Sequence, residues 1–321
     1  MRILYAAGNR TGSYFQLKRF IDSVKGKDIV LKISAFKKSM GNLDIDYTLD
    51  CLLNFTEPEG SFINNGNYIY YFNEIKRFKP DLIISDMEVY TSLIALELGI
   101  KLWQASPLLL YSGAPKELKY NSKIHRNYGY LINSFFRQKE FINVIINNSD
   151  KRFVVSHFCD CDKSVELINN FEWVRPEFAL SFNTSKDVKF LSAGIKNNKD
   201  IINLLKNTNS IIFSEFYYEK YDKLLMKNIY DNEDYTQLIG ECNFYISDGT
   251  ETLTADAFYN QKPCLFDLRH DDVESVIISH IAEYLGIGKI LTNDVDIDSM
   301  ETPLIKINDS VKFLHEHLDL K

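Results

Sequence analysis

Residues 244–290 read FYISDGTETLTADAFYNQKPCLFDLRHDDVESVIISHIAEYLGIGKI, and their periodicities decide the fold. Phe244–Ser247 is an apolar run of strand length. Thr252–Tyr259 carries a helical pattern, Pro263–Asp267 reads as a second strand, and Val273–Leu285 as a second helix. Strands alternating with helices imply a parallel sheet with right-handed crossovers. In such sheets ligands bind outside the carboxyl ends of the strands. Here that end is Ser247-Asp248-Gly249-Thr250-Glu251-Thr252, small and hydroxyl residues that open a helix. Residues of this kind leave backbone N–H groups for a phosphate or diphosphate, and the helix N-terminus adds a positive dipole end. Asp256, one turn further, is placed to accept from ribose hydroxyls. The same residue types also serve as ordinary helix caps.

The alternation extends outward from this stretch. Arg2–Ala7 is an apolar strand, followed by the loop Gly8–Ser13 and a helix over Tyr14–Val24. Ile29–Ala35 reads as a strand, and Tyr68–Phe78 as a helix ended by Lys79-Pro80. Asp81–Ser85 is a buried strand with Asp86 at its carboxyl end. A helix over Val89–Leu98 closes at Gly99, and a strand follows at Lys101–Ala105. Lys119–Asn148 is helix-rich, and Phe153–Ser156 is a further strand. Trp173–Lys186 has little periodicity and reads as a link between domains. The pattern restarts with a strand at Val188–Leu191, the turn Ser192-Ala193-Gly194, a helix over Asn198–Asn207, a strand at Ser210–Ser214 and a helix over Asp234–Ile239. Asp309 reads as the N-cap of a last helix, Ser310–His317. The expected division is an N-terminal domain over 1–175, a C-terminal domain over 186–308, and a terminal helix over 309–321 that packs back on the first domain.

Composition agrees with two domains. The chain has 321 residues, beyond the size of about 250–300 at which single cores stop growing. Its 45% hydrophobic content excludes disorder. No apolar run approaches the ~20 residues of a membrane span, and the N-terminus does not read as a secretory leader. Five cysteines, an odd number without framework spacing, fit a reduced cytoplasmic protein. Cys159-Asp-Cys161 with His157 nearby has no second ligand pair at metal-site spacing. Residues 1–155 hold 21 Lys+Arg against 15 Asp+Glu, and residues 156–321 hold 16 against 29. The halves carry +6 and −13, which together make the net −7. A basic first half suits an anionic partner, although domains also partition charge without function.

In order and spacing, these segments resemble the GT-B glycosyltransferases, the type shared by UDP-glycosyltransferases, macrolide glycosyltransferases and the peptidoglycan N-acetylglucosaminyltransferase. In the quoted stretch Ser247, Gly249, Asp256, Ala257, Pro263, Asp272, Leu285-Gly286 and Gly288 fall in register with the family's donor-binding segment. Lys79–Asp86 with Ile94–Ile100, and Arg2–Ser13, resemble its N-terminal segments, so the likeness covers nearly the whole chain. It implies two Rossmann-like α/β domains with a cleft between them. The implied reaction moves a sugar from a nucleotide-diphosphate sugar, UDP-linked, to an acceptor hydroxyl, with no resident cofactor. No D-x-D motif stands at a strand end, so no metal is expected. The donor contacts implied are Gly12, Gly194, Asp248, Gly249, Thr250, Glu251, Thr252, Asp256 and Asp272, with Arg10 and His270 able to reach phosphates.

Departures from the family bear on catalysis. Asp248 stands for a phosphate-contacting His, Thr250 for a second Gly, and Val273 for a Gln. Ser13 stands where inverting members often carry the His that acts as base. Serine alone is a poor base, so Asp86 at the neighbouring strand end is the candidate base beside Ser13, with Glu88 second. The acceptor is expected to be anionic, either lipid-linked at the inner membrane face through peripheral contact or a nucleic acid. The loss of both histidines also fits a catalytically degenerate GT-B-like binding protein.

Overall fold

The computed structural model describes residues 1–8, 11–35, 43–48, 66–110, 139–161, 171–181, 188–193, 201, 205, 208–214, 226–228, 232–268, 273–291, 296–297, 299–303 and 305–318. The chain divides into two compact units. The first comprises Met1–Ser156, Glu166–Arg175 and Ser310–Lys321, and the second His157–Val165 and Pro176–Asp309.

The first unit runs β1 (Arg2–Ala6), α1 (Thr11–Val24), β2 (Val30–Ala35), β3 (Tyr47–Thr48), α2 (Gly66–Phe78), β4 (Leu82–Ser85), α3 (Val89–Leu98), β5 (Leu102–Ala105), α4 (Lys139–Asn147), β6 (Lys151–Val155) and β7 (Glu172–Val174). Its strands form a parallel sheet in the order β3-β2-β1-β4-β5-β6-β7. Strand β1 lies between β2 and β4, with Leu4 opposite Lys32 on one side and Ile83 on the other. A central strand is covered on both faces, which explains why Ile3, Leu4, Tyr5 and Ala6 are all buried. Leu4, Ile83, Ile94, Leu102 and Ile145 form one cluster beneath α2, α3 and α4. Helix α2 stops at Phe78, Lys79 turns left-handed at φ +50°, and Pro80 prevents continuation.

The second unit runs β8 (Val188–Ala193), β9 (Ser210–Ser214), β10 (Met226–Asn228), α5 (Asn232–Glu241), β11 (Cys242–Ser247), α6 (Glu251–Tyr259), β12 (Cys264–Phe266), α7 (Val273–Leu285) and β13 (Gly288–Ile290). Its parallel sheet has the order β10-β9-β8-β11-β12-β13. Phe190, Ile201, Leu205, Ile212, Ile246 and Leu265 make its core.

Each sheet therefore turns back at one place. In the first, the chain builds outward from β1 through β2 and β3, then returns to add β4 on the other flank of β1. In the second, β8 and β11 stand in the same relation. Such a switch point opens a crevice at the strands' carboxyl ends, because the connections leave it in opposite directions. Gly8 and Asp86 follow β1 and β4, and Ser247–Thr252 follows β11.

Several sequence expectations change. The two- and three-residue strands β3, β10 and β13 are too short to announce themselves by alternation. Helix α1 begins at Thr11 rather than Tyr14. Strand β7 occupies Glu172–Val174, which reads as link in the sequence. The expected last helix is instead a single 3-10 turn, Leu314–His317. Before it, Phe313 pairs with Arg175 in a parallel bridge, the Arg175 N–H donates to the Lys312 carbonyl at 2.9 Å, and the Arg175 guanidinium lies 5.5 Å from the Phe313 ring centre. Pairing to the sheet edge takes the backbone groups a helix would have used.

Candidate functional site

In the first unit, Ser13 and Asp86 come together. The Ser13 hydroxyl donates to Asp86 Oδ2 at 2.6 Å, the length of a charge-assisted O–H···O⁻ bond. Ser13 lies in the first turn of α1, beside Gly12, and Asp86 follows β4. Gly8 makes their approach possible. A Cβ added there would lie 2.7 Å from Ser13 Oγ and 2.9 Å from Asp86 Oδ2, closer than real Cβ atoms come.

Glu88, the second candidate base, does something else. It is the N-cap of α3, and its two oxygens accept from the Tyr90 and Thr91 N–H groups at 2.9 and 2.7 Å. Burial pushes its carboxyl above the usual range, and the amide bonds pull part of the way back. The turn between Asp86 and Glu88 is held by a buried chain of side chains. Gln104 Nε2 donates to Ser92 Oγ at 2.8 Å, Ser92 donates to the Glu88 carbonyl at 2.6 Å, and Ser85 Oγ accepts the Glu88 N–H at 2.9 Å. Met87 between them has φ +51°, a costly conformation for a side chain of its size that this network holds in place.

In the second unit, the Ser247–Thr252 loop follows the capping alternative that the sequence offers beside the phosphate-binding one: three of its amides are taken. The Gly249 N–H donates to Ser247 Oγ at 3.0 Å. The Thr250 N–H donates to Asp248 Oδ1 at 3.0 Å, and the Thr250 hydroxyl to the same oxygen at 2.8 Å. The Glu251 N–H donates to Glu274 Oε1 at 2.9 Å. Glu274 is the second residue of α7, where a carboxylate would favour its own helix dipole. Its carboxylate instead caps the neighbouring helix α6. Gly249 has φ +81°, and a Cβ there would lie 2.7 Å from Ser275 Oγ and from Ser279 Oγ. The Ser275 hydroxyl also donates to the Asp248 carbonyl. Helix α7 thus lies directly against the loop.

Other donor candidates also have structural work. Glu251 accepts the His157 N–H at 2.6 Å on Oε1, and the same oxygen meets His157 Nδ1 at 2.5 Å. Both side chains are buried, and Phe158 and Phe258 flank the imidazole. Asp256, the expected ribose contact, is fully buried. Its Oδ1 accepts the Ala179 N–H at 2.7 Å and its Oδ2 the Tyr235 hydroxyl at 3.0 Å. Thr252 is buried as well. Gly194, Asp272, Arg10 and His270 lie outside the described residues. Sequence reasoning did not see the role of Glu274 or of His157. Glu274 is 23 residues from its partner and His157 is 94 residues from Glu251, and no local pattern joins them.

No family model matches the sequence, and no curated protein sequence matches it. Solved structures do. The chain is similar to SsfS6, a glycosyltransferase of Streptomyces sp. SF2575, at 13% identity and a TM-score of 0.58 over 90% of this chain and 87% of that one. It is similar to the spinosyn forosaminyltransferase SpnP at 13% identity and 0.56, over 92% and 87%. The calicheamicin glycosyltransferase CalG4 follows at 13% and 0.51, over 94% and 87%. The chain has a GT-B glycosyltransferase-like fold. At such identities the likeness concerns the fold alone, and function is argued from the site. The first unit carries Ser13 and Asp86, and the second carries the Ser247–Thr252 loop. SsfS6 has also been solved with thymidine diphosphate. No helix among the described residues is long and apolar enough to cross a membrane.

Proposed function

We propose that this protein transfers a sugar from a nucleotide-diphosphate sugar to an acceptor hydroxyl, without a metal. The observation that carries the reading is the 2.6 Å hydrogen bond from Ser13 to Asp86 at the β1–β4 switch point. The Ser13 hydroxyl holds one oxygen of Asp86 and orients the carboxylate, whose other oxygen takes the acceptor's proton. As the acceptor oxygen bonds to the anomeric carbon, the bond from that carbon to the diphosphate breaks and the nucleotide leaves with the electron pair. Geometry of this kind supplies general-base catalysis. The thymidine diphosphate complex of SsfS6 supports a diphosphonucleoside donor, TDP- or UDP-linked. An odd count of five cysteines without framework spacing supports placing the protein in a reducing cytoplasm.

The test is turnover of a panel of UDP- and TDP-sugars, slow hydrolysis included. Asp86→Asn should lower the rate by about 10²-fold or more, the usual worth of a general base. Ser13→Ala should lower it less, because it removes the orienting bond and keeps the carboxylate. A wild-type rate in Asp86→Asn overturns the assignment.

A second reading has its own observation. The amides of Gly249, Thr250 and Glu251 are occupied by the protein's own oxygens, two of them from carboxylates. A protein that had given up transfer while keeping the scaffold would look this way. Absence of turnover with every nucleotide sugar, beside measurable binding of a nucleotide, would favour it.

A further inference from the structure

Helix α6 is nine residues long, and its N-terminus lies at the β8–β11 switch point. An exposed helix start of this kind attracts an anion through its free N–H groups. Here the first helical N–H is taken by a side chain from another helix, Glu274. A second observation marks the place as built for more than its own cap. Ser279 on α7 is fully buried, its hydroxyl faces Gly249, and it has no hydrogen-bond partner among the described residues. Buried polar atoms are normally satisfied, so unmatched ones beside a helix start point to a ligand or a rearranged state.

We infer that Glu274 is an internal competitor for the donor's diphosphate. Its carboxylate holds the Glu251 N–H, and a nucleoside diphosphate gains that amide only as Glu274 withdraws. The inference rests on the donor reading above and concerns the regulation of that same loop. The physical reason is direct. Asp248 already holds the Thr250 N–H, so a diphosphate arriving beside both carboxylates meets repulsion from each, and withdrawal of Glu274 frees an amide and removes one of the two charges. The Ser279 hydroxyl, freed from its apolar confinement when α7 shifts, then has an oxygen to meet.

The experiment is calorimetric titration of UDP and of TDP into wild type, Glu274→Gln, Glu274→Asp and Glu283→Gln. Glu274→Gln keeps the shape and an acceptor oxygen and removes the charge. Glu274→Asp keeps the charge and shortens the reach. Glu283 lies on the same helix with an exposed side-chain bond to Ile290 N–H, so its variant controls for net charge. Melting curves establish that each variant is folded, and Glu274→Asp serves if Glu274→Gln is not. The expected result is that one nucleotide binds Glu274→Gln about tenfold tighter than wild type, the scale of replacing a charge-assisted bond on that amide by a neutral one that the ligand displaces more easily. Glu283→Gln should match wild type. In amide NMR spectra the Glu251 signal should move on nucleotide addition. Equal affinity across all four proteins overturns the inference and leaves the donor reading standing. Weaker binding to both Glu274 variants overturns it too, because Glu274 would then assist. No binding to any of the four removes the donor reading together with the inference.

Discussion

His157 and Glu251 make a buried pair whose members need each other. Glu251 Oε1 receives both the backbone N–H and the ring nitrogen Nδ1 of His157, at 2.6 and 2.5 Å, and neither side chain reaches solvent. Removing one partner leaves the other polar and enclosed. His157→Ala should therefore destabilise the second unit by about 3 kcal/mol, the scale for breaking a buried pair from one side. Chemical denaturation checks this, and a change below about 0.5 kcal/mol, the scatter of ordinary surface substitutions, would refute it. The pair was not legible beforehand. His157 drew attention only through the nearby Cys159-Asp-Cys161, and Glu251 only as part of a helix start. By contrast, Ser13 and Asp86 were legible, because each follows a strand with a clear apolar signature. What joined them was the adjacency of β1 and β4, and the lack of a side chain at Gly8.

At the scale of elements, α6 is the anchor for chain that enters and leaves the second unit. Asp256 takes the Ala179 N–H, and Asn260 one turn later takes the Ser181 N–H at 2.9 Å while donating to the Ala179 carbonyl at 2.6 Å. Tyr259 donates to Asp160 at 2.5 Å, and Asp160 in turn accepts the Asn308 N–H at 2.7 Å. An i, i+4 pair of short polar side chains gives the segment 179–181 the partners that a sheet would otherwise supply. Asp256→Ala should accordingly expose the Ala179 amide to exchange and lower stability by about 1–3 kcal/mol. If exchange at that amide is unchanged, the Asp256 bond is not what holds it. Asp256 also adds to burial in pushing the neighbouring Tyr245 hydroxyl well above its ordinary range, so that phenol stays neutral.

The C-terminal segment carries one pH-dependent contribution. His317 lies 4.7 Å from the Phe153 ring, with Glu172 at 3.5 Å from Nδ1. Burial lowers its pKa, Glu172 and Glu316 oppose that, and Lys151 and Lys312 reinforce it. A lowered value means the unfolded chain binds the proton more tightly than the folded one. This contribution is complete above the unfolded value of about 6.5 and is lost as pH falls from there through the folded value. The melting temperature should drop between pH 7 and pH 5, and His317→Asn should flatten that slope. An equal slope in the variant would place the acid sensitivity elsewhere.

At the scale of the whole molecule, the chain repeats one plan. Both sheets are parallel, and both step outward from a first strand before returning to its other side. Charge does not repeat: residues 1–155 carry +6 and residues 156–321 carry −13. If the acceptor is a polyanion, binding to duplex DNA or to anionic vesicles should weaken linearly in log affinity against log salt. Affinity that stays undetectable at low salt would remove both acceptor classes.

The sequence by itself determined the alternation of strands and helices, the two-part division, and the loops that carry Ser13, Asp86 and Asp248–Thr252. Those features are local, set by apolar runs, caps and breakers within a dozen residues of one another. Only the tertiary structure decided the strand order that brings β1 beside β4 and β8 beside β11. It alone decided that Glu274 takes the Glu251 amide, and that Asp256 accepts from Ala179 and Tyr235. The reason is that a buried N–H or carboxylate must find a partner, and the fold supplies that partner from wherever the chain returns. Sequence spacing carries no record of that return.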